Sequence, residues 1–107
     1  MSIPEMNPKD VFAKRNEFTI IDVRQPEEFV GELGDIEGAE LMPLATIEDK
    51  LEDYPKDKPY IFVCRSGGRS GKATAYALSV GFKNVFNMTG GMILWNGLNL
   101  KTEGKNS

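Results

Sequence analysis

Short apolar runs alternate with amphipathic stretches along the chain, an order that predicts an α/β domain on a mostly parallel sheet. Phe18-Thr19-Ile20-Ile21-Asp22-Val23 and Tyr60-Ile61-Phe62-Val63 are rich in β-branched and aromatic residues and read as buried strands, the second ending at Cys64. Val85-Phe86-Asn87-Met88 reads as the last strand, and a short one is expected around Ala39–Met42. Helical segments lie between them. Asn7-Pro8-Lys9-Asp10 opens the first, with Asn as N-cap and Pro in the first turn, and the helix is expected to run through Val11, Phe12 and Arg15. Pro26–Val30 starts a short helix with acids in its first turn. Thr46 with Asp49 predicts a capped helix carrying Ile47, Leu51 and Tyr54 on one side. Ala73, Tyr76, Ala77 and Val80 share one helical face, which Gly81 closes as the C′ residue. Gly90-Gly91 leads into a final helix near Trp95, read as a core or pocket-wall residue. The polar end, 101–107, is expected to fray, and residues 1–107 are expected to form a single domain.

Composition narrows the chemistry. Among 107 residues there is one cysteine and no histidine. No internal disulfide can form, and a structural zinc site or a Ser–His–Asp or Cys–His arrangement has no ligands or base to use. If Cys64 is a nucleophile, something other than imidazole must lower its pKa. The opening residues carry neither a basic nor an apolar leader, and no apolar stretch is long enough to span a bilayer; the expected compartment is the cytoplasm.

A net charge of −3 conceals a division. Residues 1–57 carry 6 Lys/Arg and 15 Asp/Glu, a balance of −9; residues 58–107 carry 7 and 1, a balance of +6. Two sheet faces of different charge would explain this, and so would an anion site in the second half. Nucleic acid is disfavoured as a partner, since the basic residues form no run and the whole chain is acidic.

The segment from Tyr60 to Ser70 is strand, cysteine, compact loop, helix. Open parallel sheets bind ligands beyond the carboxyl ends of their strands, where Cys64 falls. The loop feeds a helix N-terminus, whose unpaired N–H groups and positive dipole end favour an anion. Gly67 and Gly68 are expected to let the backbone curl so that amides point inward, with Arg65 and Arg69 adding charge. Such surroundings can take a cysteine from about 8.5 to between about 3.5 and 7.5. An isolated cysteine ending a strand reads as a small hydrophobe. Two arginines and two glycines beside Cys64 point instead to a nucleophile.

At these residues the chain resembles the single-domain rhodaneses, the thiosulfate sulfurtransferase-like family. Cys64-Arg65-Ser66-Gly67-Gly68-Arg69 matches the family's Cys-x-x-Gly-x-Arg loop at every fixed position. Asp22-Val23-Arg24 through Glu28-Phe29 matches Asp-Val-Arg-x-x-x-Glu-Phe, and Gly90-Gly91 through Trp95 matches Gly-Gly-x-x-x-Trp. Gly34 to Ala39 corresponds to Gly-His-Ile-Pro-Gly-Ala, with departures at Asp35 and Glu37. The resemblance implies a three-layer α/β/α fold with about five strands and sulfur transfer through a Cys64 persulfide, without cofactor or metal. Its implied substrates are an anionic donor such as thiosulfate and a thiophilic acceptor: cyanide, a thiol or a protein. Arg69 would orient the donor, the amides of Arg65, Ser66, Gly67, Gly68, Arg69 and Ser70 would hold the persulfide, and Asp22 and Arg24 would brace the pocket. A plain ion pair explains Asp22 and Arg24 equally. Ser70 either bonds the thiolate or caps the helix. A monomer or weak dimer is expected.

Rivals use related loops. Phosphatases and arsenate reductases of the Cys-x5-Arg type need five intervening residues, whereas Cys64 and Arg69 enclose four. A dithiol reductase needs a second cysteine. A sulfur carrier or regulatory binding module serving a protein partner would keep the same fold.

Overall fold

Alternation along the central strands assigns each side chain to one face of a sheet. The computed structural model describes residues 3–104. In chain order these form β1 (Glu5–Met6), α1 (Pro8–Lys14), β2 (Thr19–Asp22), α2 (Pro26–Phe29), β3 (Glu40–Leu41), α3 (Ile47–Leu51), β4 (Pro59–Val63), α4 (Gly68–Ser79), β5 (Asn84–Met88) and α5 (Gly91–Gly97). The five strands make one sheet in the order β1-β5-β4-β2-β3, with every pair parallel. On one face Ile21, Tyr60, Phe62 and Cys64 pack with Ile47 and Leu51 of α3 and Ala73 and Ala77 of α4. On the other, Ile20, Ile61 and Val63 pack with Val11 of α1 and Met92 and Trp95 of α5. This is the expected α/β/α layering, and each fully buried aliphatic or phenyl side chain stabilises it by about 1.5–3 kcal/mol.

Local chemistry sets the ends of the elements. The Asn7 side chain accepts the Asp10 N–H, as an N-cap should. Gly81, at φ +102°, closes α4: its N–H donates to Leu78 O, and the Phe82 N–H donates to Ala77 O. That is the Schellman pattern. Trp95 is fully buried against Phe12 and belongs to the core, with its indole N–H donating to Lys101 O and Thr102 Oγ1.

Three details differ from expectation. β1 is too short to carry an apolar pattern and joins the sheet edge through backbone hydrogen bonds, the Thr89 N–H donating to Met6 O, with the Met6 side chain packed against the core. Thr46 stands at the N-cap position of α3 without capping it; its hydroxyl donates back to Pro43 O in the preceding 3₁₀ turn. The polar end does not fray through Glu103, whose backbone exchanges two 2.8 Å hydrogen bonds with that of Asp35. Residues 105–107 lie outside the described chain. The same pairing stitches down the loop in which Asp35 and Glu37 depart from the family pattern.

Strand order places the site. The chain leaves β2 toward β3 on one side and leaves β4 toward β5 on the other, so the crossovers diverge above the carboxyl ends of β2 and β4. Asp22 pairs with Val63 in register. The crevice therefore lies between Asp22–Arg24 and Cys64.

Candidate active site

Cys64 is the first residue beyond β4 and is 1% exposed. The loop from Cys64 to α4 takes its shape from the partners of its carbonyls. The Met92 N–H holds Cys64 O at 2.9 Å, and the Ile93 N–H holds Arg65 O at 3.0 Å. Gly67 O receives both the Gly71 N–H and Asn87 Nδ2. With its carbonyls tied outward, the loop turns its N–H groups in: the Gly67 N–H donates to Cys64 Sγ at 3.0 Å, and the Ser70 hydroxyl lies 3.2 Å away. Gly67 stands at the N-cap position of α4 with no side-chain cap, so the sulfur receives a donor from the helix entrance.

Glycine is required at some of these positions and not at others. Gly67 has φ +108°, and a Cβ on Gly91 would overlap the Arg65 carbonyl. Gly68, expected to help curl the loop, is ordinary helical backbone with open space where a Cβ would stand. Gly67→Ala is expected to cost about 1–3 kcal/mol. Gly68→Ala leaves stability unchanged or raises it by up to about 1 kcal/mol. Urea unfolding of both variants checks the difference.

The electrostatics follow from these contacts. Burial pushes the Cys64 thiol up, but the Ser70 hydroxyl and the N–H groups of Ser70, Gly67 and Ser66 together outweigh it, and its pKa falls below the ordinary 9.0. Ser70, at the third position of α4, thus bonds the sulfur and does not cap the helix. Arg69 gives both Nη atoms to Glu28 of α2, at 2.7 and 2.8 Å, a bidentate pair about one-third exposed. Arg69, with the Gln25 N–H, holds the Glu28 carboxyl down to about 2, against 4.5 ordinarily. Because the folded value is the lower one, the pair's contribution is complete above pH 4.5 and is lost as pH falls toward 2.

Arg24 and Asp22 are both buried and joined by Nε–Oδ1 and Nη2–Oδ2 hydrogen bonds of 2.9 and 2.7 Å. Arg24 Nη2 also reaches Gly34 O at 2.7 Å, tying the end of β2 to the glycine loop. Arg65 and Ser66 are exposed. Arg65 and Arg24 line a cavity of about 180 Å³ with Glu27, Glu28, Gly31, Glu32 and Leu33. Burial pushes the Asp35 carboxyl up, and nearby Asp22 adds to this. Among the described residues no group of three or more acidic, cysteine or histidine side chains is placed to hold a metal ion.

Two contributors escape the sequence. Glu28 shows there only as a first-turn acid and a motif residue, although it is the partner of Arg69. Asn87 shows only as part of a strand, although it is 5% exposed and hydrogen-bonds both Ser70 and Gly67. Its signal is visible all the same: an amide inside the apolar run Val85–Met88 needs partners.

The arrangement suits an anionic sulfur: an accessible loop, inward N–H groups, a hydroxyl, and no base required. Comparison with known proteins gives the family. The family model described as rhodanese-like domain matches residues 8–98. YtwF of Bacillus subtilis is 43% identical over 83% of this chain and 84% of its own. The thiosulfate sulfurtransferase GlpE of Pseudomonas entomophila is 32% identical over 84% of this chain and 82% of its own. The crystal structure of a rhodanese-like domain protein from Staphylococcus aureus superposes with TM-score 0.79 at 32% identity, covering 98% of this chain and all of that one. On the matched residues and the shared fold together, this chain belongs to the rhodanese-like domain family.

Proposed function

We propose that the protein is a sulfurtransferase that carries sulfane sulfur as a Cys64 persulfide. The observation that carries this reading is the ring of donors on Cys64 Sγ, which favours thiolate without a histidine. With thiosulfate as donor, the thiolate attacks the outer sulfur. A new S–S bond forms to Cys64, and the donor's S–S bond breaks with its electron pair leaving on sulfite. The terminal persulfide sulfur carries the negative charge into the cradle, where the loop N–H groups hold it. A nucleophilic acceptor then takes that sulfur: cyanide leaves as thiocyanate, and Cys64 returns as thiolate. Since the chain has no second thiol, discharge must go to an outside molecule.

Relatives named sulfurtransferase support the reaction class, and GlpE supports thiosulfate as donor. A lone free thiol suits a reducing compartment, and the cytoplasm is proposed on that ground. The test is direct. Incubation with thiosulfate adds one sulfur atom to the intact protein by mass spectrometry, and cyanide removes it. No adduct from any sulfane donor, together with hydrolysis of aryl phosphates, would overturn the proposal.

Arg69 serves as the donor-facing cation in this reading, restrained by Glu28. Arg69→Ala is expected to raise KM for thiosulfate about tenfold, by losing a charge-assisted contact, and to raise the Cys64 pKa. Glu28→Gln, which leaves the arginine charge unopposed, shifts both the other way. Steady-state kinetics and thiol titration check the pair of signs.

A further inference from the structure

Asn87 stands on β5 beneath the loop with its amide orientation set by a carbonyl: Nδ2 donates to Gly67 O at 3.1 Å, which turns Oδ1 toward Ser70. Ser70 Oγ lies 2.5 Å from that oxygen and 3.2 Å from Cys64 Sγ. Serine has one hydroxyl proton. It can satisfy Asn87 Oδ1 or the sulfur, and it cannot do both. Directed at Asn87, the Ser70 oxygen offers the sulfur lone pairs, which suit a thiol S–H. Turned to the sulfur, the proton suits a thiolate and leaves a buried amide oxygen without a donor.

We propose that Asn87 is a positioning residue that competes with Cys64 for the single Ser70 proton, holding it while the sulfur is neutral and releasing it when the sulfur is charged. The contest is uneven in each state for a physical reason. A bond to a charged acceptor is stronger than one to a neutral amide, so the thiolate wins the proton. A thiol, which brings its own proton, loses it to Asn87. In the persulfide the charge moves to the terminal sulfur and Sγ becomes neutral, so the Ser70 proton swings back. Asn87 therefore limits how far the loop favours thiolate in the resting protein, and its bond to Ser70 is restored when sulfur is loaded. This last step rests on the persulfide reading; the competition itself does not.

The test is a thiol titration of four proteins: wild type, Ser70→Ala, Asn87→Leu and the double variant, by the pH dependence of iodoacetamide alkylation. The other charged groups around the loop, namely Arg65, Arg69 with Glu28, and the Asp22–Arg24 pair, are the same in all four. Ser70→Ala raises the Cys64 pKa. Asn87→Leu lowers it by about one unit, the size of one hydrogen bond between neutral groups. In the Ser70→Ala background Asn87→Leu shifts nothing. A rise on Asn87→Leu, or an equal shift in both backgrounds, overturns the proposal, since loop damage would not depend on Ser70. Should Asn87→Leu fail to fold, the wild type decides: the Asn87 carboxamide ¹⁵N–¹H resonances move with the Cys64 titration, and unmoved resonances overturn the competition. On thiosulfate loading they return toward their thiol-state positions. If no sulfur is taken up, the persulfide reading fails while the titration still judges Asn87.

Discussion

Cys64→Ser is expected to abolish sulfur uptake from thiosulfate and to reduce thiosulfate:cyanide turnover at least about a thousandfold, the scale of losing a nucleophile. A serine hydroxyl is smaller than the thiol and fits the same cradle, so the Gly67 N–H and the Ser70 hydroxyl keep a partner. The lost property is chemical. The cradle lowers a thiol whose ordinary pKa lies only modestly above neutrality, whereas the same few hydrogen bonds leave an alcohol protonated. The side chain also borders the core formed with Phe62, Ala73 and Ala77, so stability changes modestly. A loss of about 1 kcal/mol would lower Tm by roughly 4–8 °C. Intact mass after thiosulfate treatment and a thermal melt, run on the same sample, separate chemistry from folding. Sulfur uptake by a folded Cys64→Ser protein would sink the nucleophile assignment, because no other thiol exists to receive it.

Much of the fold is legible in the sequence because its signals are local. β2, β4 and β5 are apolar runs, α4 shows its period and its glycine stop, and Cys64 is followed by residues that only a functional loop would collect. The unread parts depend on distant partners. Arg69 meets Glu28 across 41 residues and Ser70 meets Asn87 across 17, so nothing beside the arginine or the serine announces the contact. β1 is two residues at a sheet edge, too short to carry a pattern. Thr46 resembles a cap but is not one, because a hydroxyl can also serve a preceding carbonyl, and here the 3₁₀ turn offers one. As far as Glu103 the polar end is held by a backbone pairing with Asp35 and by the Trp95 indole, which composition does not display. The charge division also acquires a structural meaning. The basic half contributes Arg65 and Arg69 to the loop, and the acidic half supplies the Glu28 that restrains Arg69 and the Asp22 that neutralises Arg24.

Asp22→Asn is expected to destabilise the protein by about 3–5 kcal/mol, a large share of a typical domain's stability. Arg24 is 1% exposed, so the variant leaves a buried guanidinium whose hydrogen-bonded carboxylate is gone, with the Gly34 carbonyl and a neutral amide as its direct partners. Chemical denaturation measures the loss. A loss under about 1 kcal/mol would mean that water reaches the guanidinium freely. The double variant Asp22→Leu, Arg24→Met then separates two roles for the pair. Replacing both partners by apolar groups of similar size removes the buried charges together, and such exchanges are often neutral or stabilising. If the double variant regains both stability and sulfur transfer, the pair serves the fold alone. A stable double variant with impaired turnover means instead that Arg24, lining the cavity beside Arg65, contributes its charge to binding the anionic donor. That outcome would move Arg24 from scaffold to site, and a rise in KM for thiosulfate with kcat preserved is its signature.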